Sequence, residues 1–262
     1  MMTFPDQRKL FFSLNSLLRQ LLKHEIELPR VSRTACLLAL GGASLNSLPS
    51  ALMDMVLSAQ NKDGGWVGPD DTMWNLLYLK MSGFTDSESY RAGIEFLRNN
   101  VQESIGWGRS LRDIPRIPVT GRILYFLKEM NTRETMENLL SLWAKERNSL
   151  TYKAASVLLA CSTYGLGAGE RIVNETWRWL RSQQNTDGGF GPWKGHPAGS
   201  DVYSTSMALL GLVKFGCNDL VVERAVSWMA AEQLDIGLWG YHQIEDGASW
   251  AWYALNEIMR NR

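Results

Sequence analysis

The sequence has 262 residues, enough to bury a sizeable core, and its 27 lysines and arginines balance its 27 aspartates and glutamates. That balance excludes the basic footprint of a nucleic-acid-binding chain, and no apolar run approaches the roughly 20 residues of a membrane span. Cys36, Cys161 and Cys217 lie far apart with no Cys-x-x-Cys, which argues against a zinc site or disulfide framework and for a reducing, cytoplasmic setting.

In chain order, residues 8–24 place Leu10, Phe11, Leu14, Leu17, Leu18, Leu21 and Leu22 on one helical face. Arg8, Lys9, Arg19 and Lys23 fall outside that stripe. The pattern predicts an outer helix within residues 1–28; a basic amphipathic helix of this kind also suits peripheral contact with a membrane surface. No secretory signal precedes it.

Six apolar segments follow, each opening near a hydroxyl residue: Thr34, Thr72, Thr120, Thr151, Thr205 and Ser249. Hydroxyls at these places are expected to cap the first turn of each helix. Apolar on nearly every face, these helices are expected to be buried all round. Amphipathic segments near 50–60, 88–100, 133–146, 170–183 and 219–232 lie between them. With the first helix they make six outer and six inner helices in alternation, an all-α (α/α)6 toroid occupying residues 1–262 as a single domain.

The connecting turns carry a second repeat, Gln-x-x-x-Gly-x-aromatic: Gln60, Gly64 and Trp66; Gln184, Gly188 and Phe190; Gln233, Gly237 and Trp239. A copy at Gln102, Gly106 and Trp107 is one residue short. The amide can bond free backbone groups at helix ends, the glycine supplies positive φ, and the indole stacks over the turn. The unit is expected to tie outer helices to inner ones.

This pattern resembles the QW motif of the squalene/oxidosqualene cyclase family, the class II terpene cyclases, related by fold to protein prenyltransferase β subunits. Arg224, Ala225, Trp228 and Met229, leading into Gln233, match its longer form apart from methionine at the aliphatic place. Class II cyclases start at an Asp-x-Asp-Asp-Thr motif whose middle aspartic acid protonates an alkene or epoxide. The corresponding run is Gly68, Pro69, Asp70, Asp71 and Thr72, with glycine where the first aspartate belongs. The resemblance implies Asp70 as general acid, tuned by Asp71, acting on an isoprenoid substrate in an aromatic-lined cavity, with no cofactor and no metal.

That chemistry needs a carboxylic acid kept protonated in a dry pocket, with aromatic faces for the developing cation. Candidate wall residues are Trp66, Trp74, Trp107, Tyr125, Tyr152, Phe190, Tyr203, Trp239, Tyr241, Trp250 and Trp252, with His242 nearby. The positions two before each hydroxyl, Ser32, Asp70, Pro118, Ser149, Tyr203 and Gly247, are expected to ring one mouth, with Asp70 the single acid. Asp70 and Asp71 equally suit plain helix capping, and Asp71 an ion pair with Arg33. Arg112, Arg116, Arg122 and Lys153 could grip a diphosphate, although surface arginines fit the same pattern.

Other readings remain open. Prenyltransferase chemistry lacks its cysteine and histidine ligands in Asp201-Val202-Tyr203 and Gly247-Ala248-Ser249. His196 and the pair Glu245 and Asp246 would serve an acid/base enzyme of other chemistry in the same barrel. A non-catalytic prenyl- or lipid-binding toroid is the further alternative. A single toroid is expected to need a cap on its cavity, from the first helix, a partner protein or a second copy.

Overall fold

The computed structural model describes residues 3–23, 28–102, 105–217 and 219–261, and regular structure among them is helical. The outer helices are α1 (Gln7–Lys23), α3 (Ala51–Ser58), α5 (Glu88–Asn99), α7 (Arg133–Glu146), α9 (Arg171–Ser182) and α11 (Leu220–Ala231). The inner ones are α2 (Leu28–Leu40), α4 (Pro69–Met81), α6 (Ile117–Phe126), α8 (Thr151–Tyr164), α10 (Val202–Val213) and α12 (Ile244–Arg260). Of the expected first helix, residues 1–2 and 24–27 lie outside the described residues.

Apolar composition decides which helices go inside. Every residue of 72–79, 154–161 and 204–212 is buried, so α4, α8 and α10 have no solvent face. Helix α9 buries only Val173, Thr176 and Leu180, the three-to-four spacing of a one-sided helix. Each inner helix packs on the next around the ring, and α12 packs on α2 to close it. Closure has its own bonds: Trp252 Nε1 donates to Leu38 O at 2.9 Å, and Arg260 Nη1 to Leu40 O at 2.9 Å. A Cβ on Gly41 would lie 2.1 Å from the Trp252 indole, so glycine is what lets these two helices meet.

The turn repeat is a clasp. Gln60 Nε2 donates to Gly64 O (2.7 Å) and Ser89 O (2.8 Å), and Gln184 Nε2 to Gly188 O (2.8 Å) and Val221 O (2.7 Å). Gln233 Nε2 donates to Gly237 O at 2.9 Å and Asp6 O at 3.3 Å, and its Oε1 accepts from Asp6 N at 2.6 Å. The glutamine therefore joins each outer helix to the next outer helix, a correction to the expected outer-to-inner tie. The indole makes the other link: Trp66, Trp107 and Trp239 each donate Nε1 to a carbonyl ten residues back, on Val56, Leu97 and Met229. Gly64, Gly188 and Gly237 have φ between 82° and 97° and press on the neighbouring outer helix. At Gly64 a Cβ would meet Ala92 O at 2.4 Å.

The hydroxyl anchors also need correcting. Thr72, Thr120 and Thr205 Oγ1 accept from the backbone N–H of Trp66, Trp107 and Phe190, at 3.0, 3.0 and 2.9 Å. Thr151 Oγ1 donates to Gly191 O, while Thr34 and Ser249 bond carbonyls within their own helices. Thr72, Thr120, Thr151 and Thr205 thus fasten turns to inner helices rather than cap first turns, and the three that accept satisfy a buried turn N–H.

Candidate active site in the toroid cavity

The N-terminal halves of the inner helices enclose a cavity of about 1060 Å³, lined by residues of all six. Trp66, Trp74, Tyr152, Tyr203, His242 and Trp250 line it, as does Tyr241. The rings touch in series: Trp74 lies 5.9 Å from Trp250, Trp250 6.1 Å from Tyr203, and Tyr203 5.9 Å from Tyr152 and 6.0 Å from Tyr241. Aromatic faces of this kind carry negative electrostatic potential toward a cation. Burial pushes the Tyr203 phenol up to about 12, so it stays neutral.

Trp107, Tyr125 and Trp239 lie outside the lining. The two tryptophans are buried in the turn clasps, and the Tyr125 hydroxyl bonds that of Tyr253 at 2.6 Å near the far end of α6. Phe190 and Trp252 are also spent on packing, Phe190 under its turn and Trp252 on the ring closure. His196 stacks edge-on to Trp193 in its own loop.

Asp70 and Asp71 occupy the first turn of α4 and face the cavity. The Asp70 carboxylate is bound across the ring rather than to its own helix: Arg122 Nη2, from α6, donates to Oδ1 at 2.8 Å and to Oδ2 at 2.9 Å. Both side chains are largely buried, with 18% and 11% exposed. Arg33 pairs with Asp246 at 3.1 Å and donates to Gln243 Oε1 at 3.0 Å. Of the remaining expected phosphate-gripping side chains, Arg116 and Lys153 line the cavity but are paired, and Arg112 does not line it. Arg116 is held by Asp113, whose carboxyl it draws down to about 2, Lys153 is paired with Glu146, and Arg112 is exposed away from the lining.

Gly68 has a steric reason. Its backbone is extended, which any residue adopts, but a Cβ there would stand 2.4 Å from Arg109 O. The 106–116 loop occupies the space that a first aspartate would need.

Of the six positions expected to ring the mouth, Asp70, Pro118 and Tyr203 line the cavity. Asp70 is the one acid among those six, and Asp71, Glu146, Asp201 and Asp246 line the cavity from other positions. Asp201 caps α10, accepting from Ser204 N at 2.7 Å. Burial raises the carboxyls of Asp201 and Asp246 above the ordinary range, for Asp246 against the pull of Arg33 and Arg122. Glu245, its neighbour, is committed to Arg30 at 2.6 Å. Asn75, one turn beyond Asp71 and fully buried, also lines the cavity. A lone amide within the apolar run of α4 was the sequence signal for it.

No family model matches the chain. It is 27% identical over 199 residues to a squalene–hopene cyclase of Zymomonas mobilis, covering 71% of this chain and 29% of that protein. It is 25% identical over 231 residues to a drimenyl diphosphate synthase of Streptantibioticus cattleyicolor, covering 77% of this chain and 42% of that protein. The chain thus spans less than half the length of either curated relative. Among solved structures it superimposes on the type II terpene cyclase MstE from Scytonema, bound to geranylgeranyl dihydroxybenzoate. That match has a TM-score of 0.72 at 14% identity and covers 98% of this chain and 99% of that one. The chain has the type II terpene cyclase toroid fold. Within that fold the α4 carboxylates, the aromatic series and the Arg122 clamp share one cavity. Among the described residues no helix is long and apolar enough to cross a membrane.

Proposed function

We propose that this toroid is a terpene cyclase-like enzyme that cyclises or isomerises an isoprenoid chain by protonating it. The observation that carries the reading is the placing of Asp70 and Asp71 on the same cavity as Trp74, Trp250 and Tyr203. In the proposed step, the Asp70 O–H adds its proton to a terminal alkene carbon. The π bond breaks, a C–H bond forms, and the tertiary cation closes onto the next double bond beneath the aromatic faces. The final cation gives a proton to water and water returns one to Asp70, which leaves an isomer of the substrate and restores the acid.

The homologous squalene–hopene cyclase and drimenyl diphosphate synthase support the substrate class, as does the geranylgeranyl ligand in the MstE structure. The matched MstE chain is spanned almost whole, which supports a lone toroid as sufficient housing. Val67 and Ile114, 76% and 71% exposed, belong to the cavity lining, and a partner chain, a second copy or a lipid surface would cover them. Three buried free cysteines suit a cytoplasmic setting.

A second reading, a prenyl-binding toroid without catalysis, is favoured by the Arg122 clamp and by the filled space at Gly68. Asp70→Asn separates the two. The cyclase reading expects turnover to vanish while prenyl binding stays within about twofold. Full turnover in Asp70→Asn would refute Asp70 as the acid.

A further inference from the structure

The outer face of α1 is a cationic stripe that the rest of the chain leaves unmatched. Arg8, Phe12, Ser16, Arg19 and Lys23 recur every three or four residues and are exposed, while Leu10, Leu14, Leu18 and Leu21 point into the ring. Lys9 is exposed beside them, and α1 contains no acidic residue. Among the described residues, none of these four cations makes an ion pair or a side-chain hydrogen bond. Other outer helices neutralise their own surfaces: Arg98 pairs with Glu95 on α5, Arg133 with Glu137 on α7, and Arg171 with Glu175 on α9. Phe12, in the middle of the stripe, is 69% exposed.

The same chain carries a groove of opposite character. Between α11 and the turn after α9 lies a surface groove of about 410 Å³. Its apolar lining is Leu220, Trp228 and Ala231, and Leu220 is 66% exposed. Asp187, Glu223 and Glu232 add three carboxylates. Asp187 Oδ1 accepts from Gly189 N and Ser200 Oγ, while Glu223 and Glu232 have no partner among the described residues. Arg224 is the one base in the lining, and its Nη2 is turned onto the carbonyls of Asn185 and Thr186.

We propose that the α1 stripe of one copy of this chain seats in the α11 groove of another, with Phe12 against Leu220, Trp228 and Ala231 and the flanking cations facing the three carboxylates. A chain does not make this contact with itself. The inward leucines of α1 turn Phe12 outward, and the turn at 233–237, packed on Lys9 and Ser13, stands between α1 and α11. The two surfaces differ, so the contact is heterologous and joins copies head to tail. An anionic bilayer would attract α1 but repel its neighbours, the exposed Asp235 and the α11 carboxylates. A second copy answers both signs of charge. Neither surface lines the toroid cavity, so the contact stands apart from the proposed reaction and is tested without substrate.

Sedimentation equilibrium of the full chain is the test. Its weight-average mass should climb above one chain between about 1 and 200 μM at low salt, and fall back at about 0.5 M NaCl as the charges are screened. Phe12→Asp, Arg19→Glu and the pair Glu223→Lys with Glu232→Lys should each weaken association at least about tenfold. All change exposed side chains, so their thermal melts should match the parent's. Mixing Phe12→Asp, whose groove is intact, with the double lysine variant, whose stripe is intact, should restore a 1:1 dimer that grows no further. A parent that stays monomeric overturns the contact, as does association that survives these variants or a mixture that stays monomeric. A monomeric parent that instead sediments with phosphatidylglycerol vesicles assigns the stripe to a lipid surface and overturns it too.

Discussion

Replacing Gly64 by alanine tests the clasp that sets the ring. The residue has φ +89°, and a Cβ there would stand 2.4 Å from Ala92 O on α5. The left-handed backbone alone costs alanine about 1–2 kcal/mol. Forcing α5 away from the turn adds about 1–3 kcal/mol, the usual range for overpacking. Gly83 is the internal control: its φ is +81°, but nothing lies within 4 Å of a Cβ placed there. The gain from restricting the unfolded chain is common to both variants and cancels in the comparison. Far-UV circular dichroism melts should therefore show Gly83→Ala losing about 1 kcal/mol and Gly64→Ala about 3 kcal/mol. At about 2–4 °C per kcal/mol, the two Tm values should differ by about 4–8 °C. Equal Tm losses would refute the claim that close approach to α5, rather than backbone angle alone, requires glycine.

Arg122→Gln strands a largely buried carboxylate at Asp70 and should cost about 3 kcal/mol in urea unfolding; adding Asp70→Asn should recover most of it, and simply additive losses would contradict the pairing. The raised Asp246 carboxyl gives a pH signature, because a raised folded value contributes stability below its unfolded value, about 4, and loses it as pH rises through the folded one. Asp246→Asn should therefore melt higher than the parent at neutral pH and converge with it near about pH 4, as read by Tm across a pH series. Gln233→Leu removes the bonds to Gly237 and Asp6 that join α11 to the start of α1. It should cost about 1–3 kcal/mol and speed amide exchange at the start of α1 more than in α4.

Much of the fold was legible because its signals are local. Amphipathic spacing placed α5, α7, α9 and α11 to within a residue or two, and nearly featureless apolarity marked the inner helices. The turn repeat was visible for the same reason, since Gln60, Gly64 and Trp66 act within one short segment. Partners were harder to read. A threonine beside a helix start suggests a cap, yet Thr120 and Thr205 bond residues 13 and 15 positions upstream, a distance set by how the turn folds back. The same holds in the site. Arg122 and Asp70 are 52 residues apart and meet only because α4 and α6 are neighbours in the ring. Asp246 reaches the cavity because α12 closes against α2. Trp107 and Trp239 looked like wall residues because aromatic type does not reveal direction; their indoles belong to the clasps.

The central claim is that this cavity protonates carbon. Turnover of a prenyl substrate in D2O, with the product analysed by mass spectrometry and NMR, tests it most directly. The account predicts one deuterium, carried by the carbon that received the initiating proton, and no product from Asp70→Asn. A product free of deuterium would contradict it.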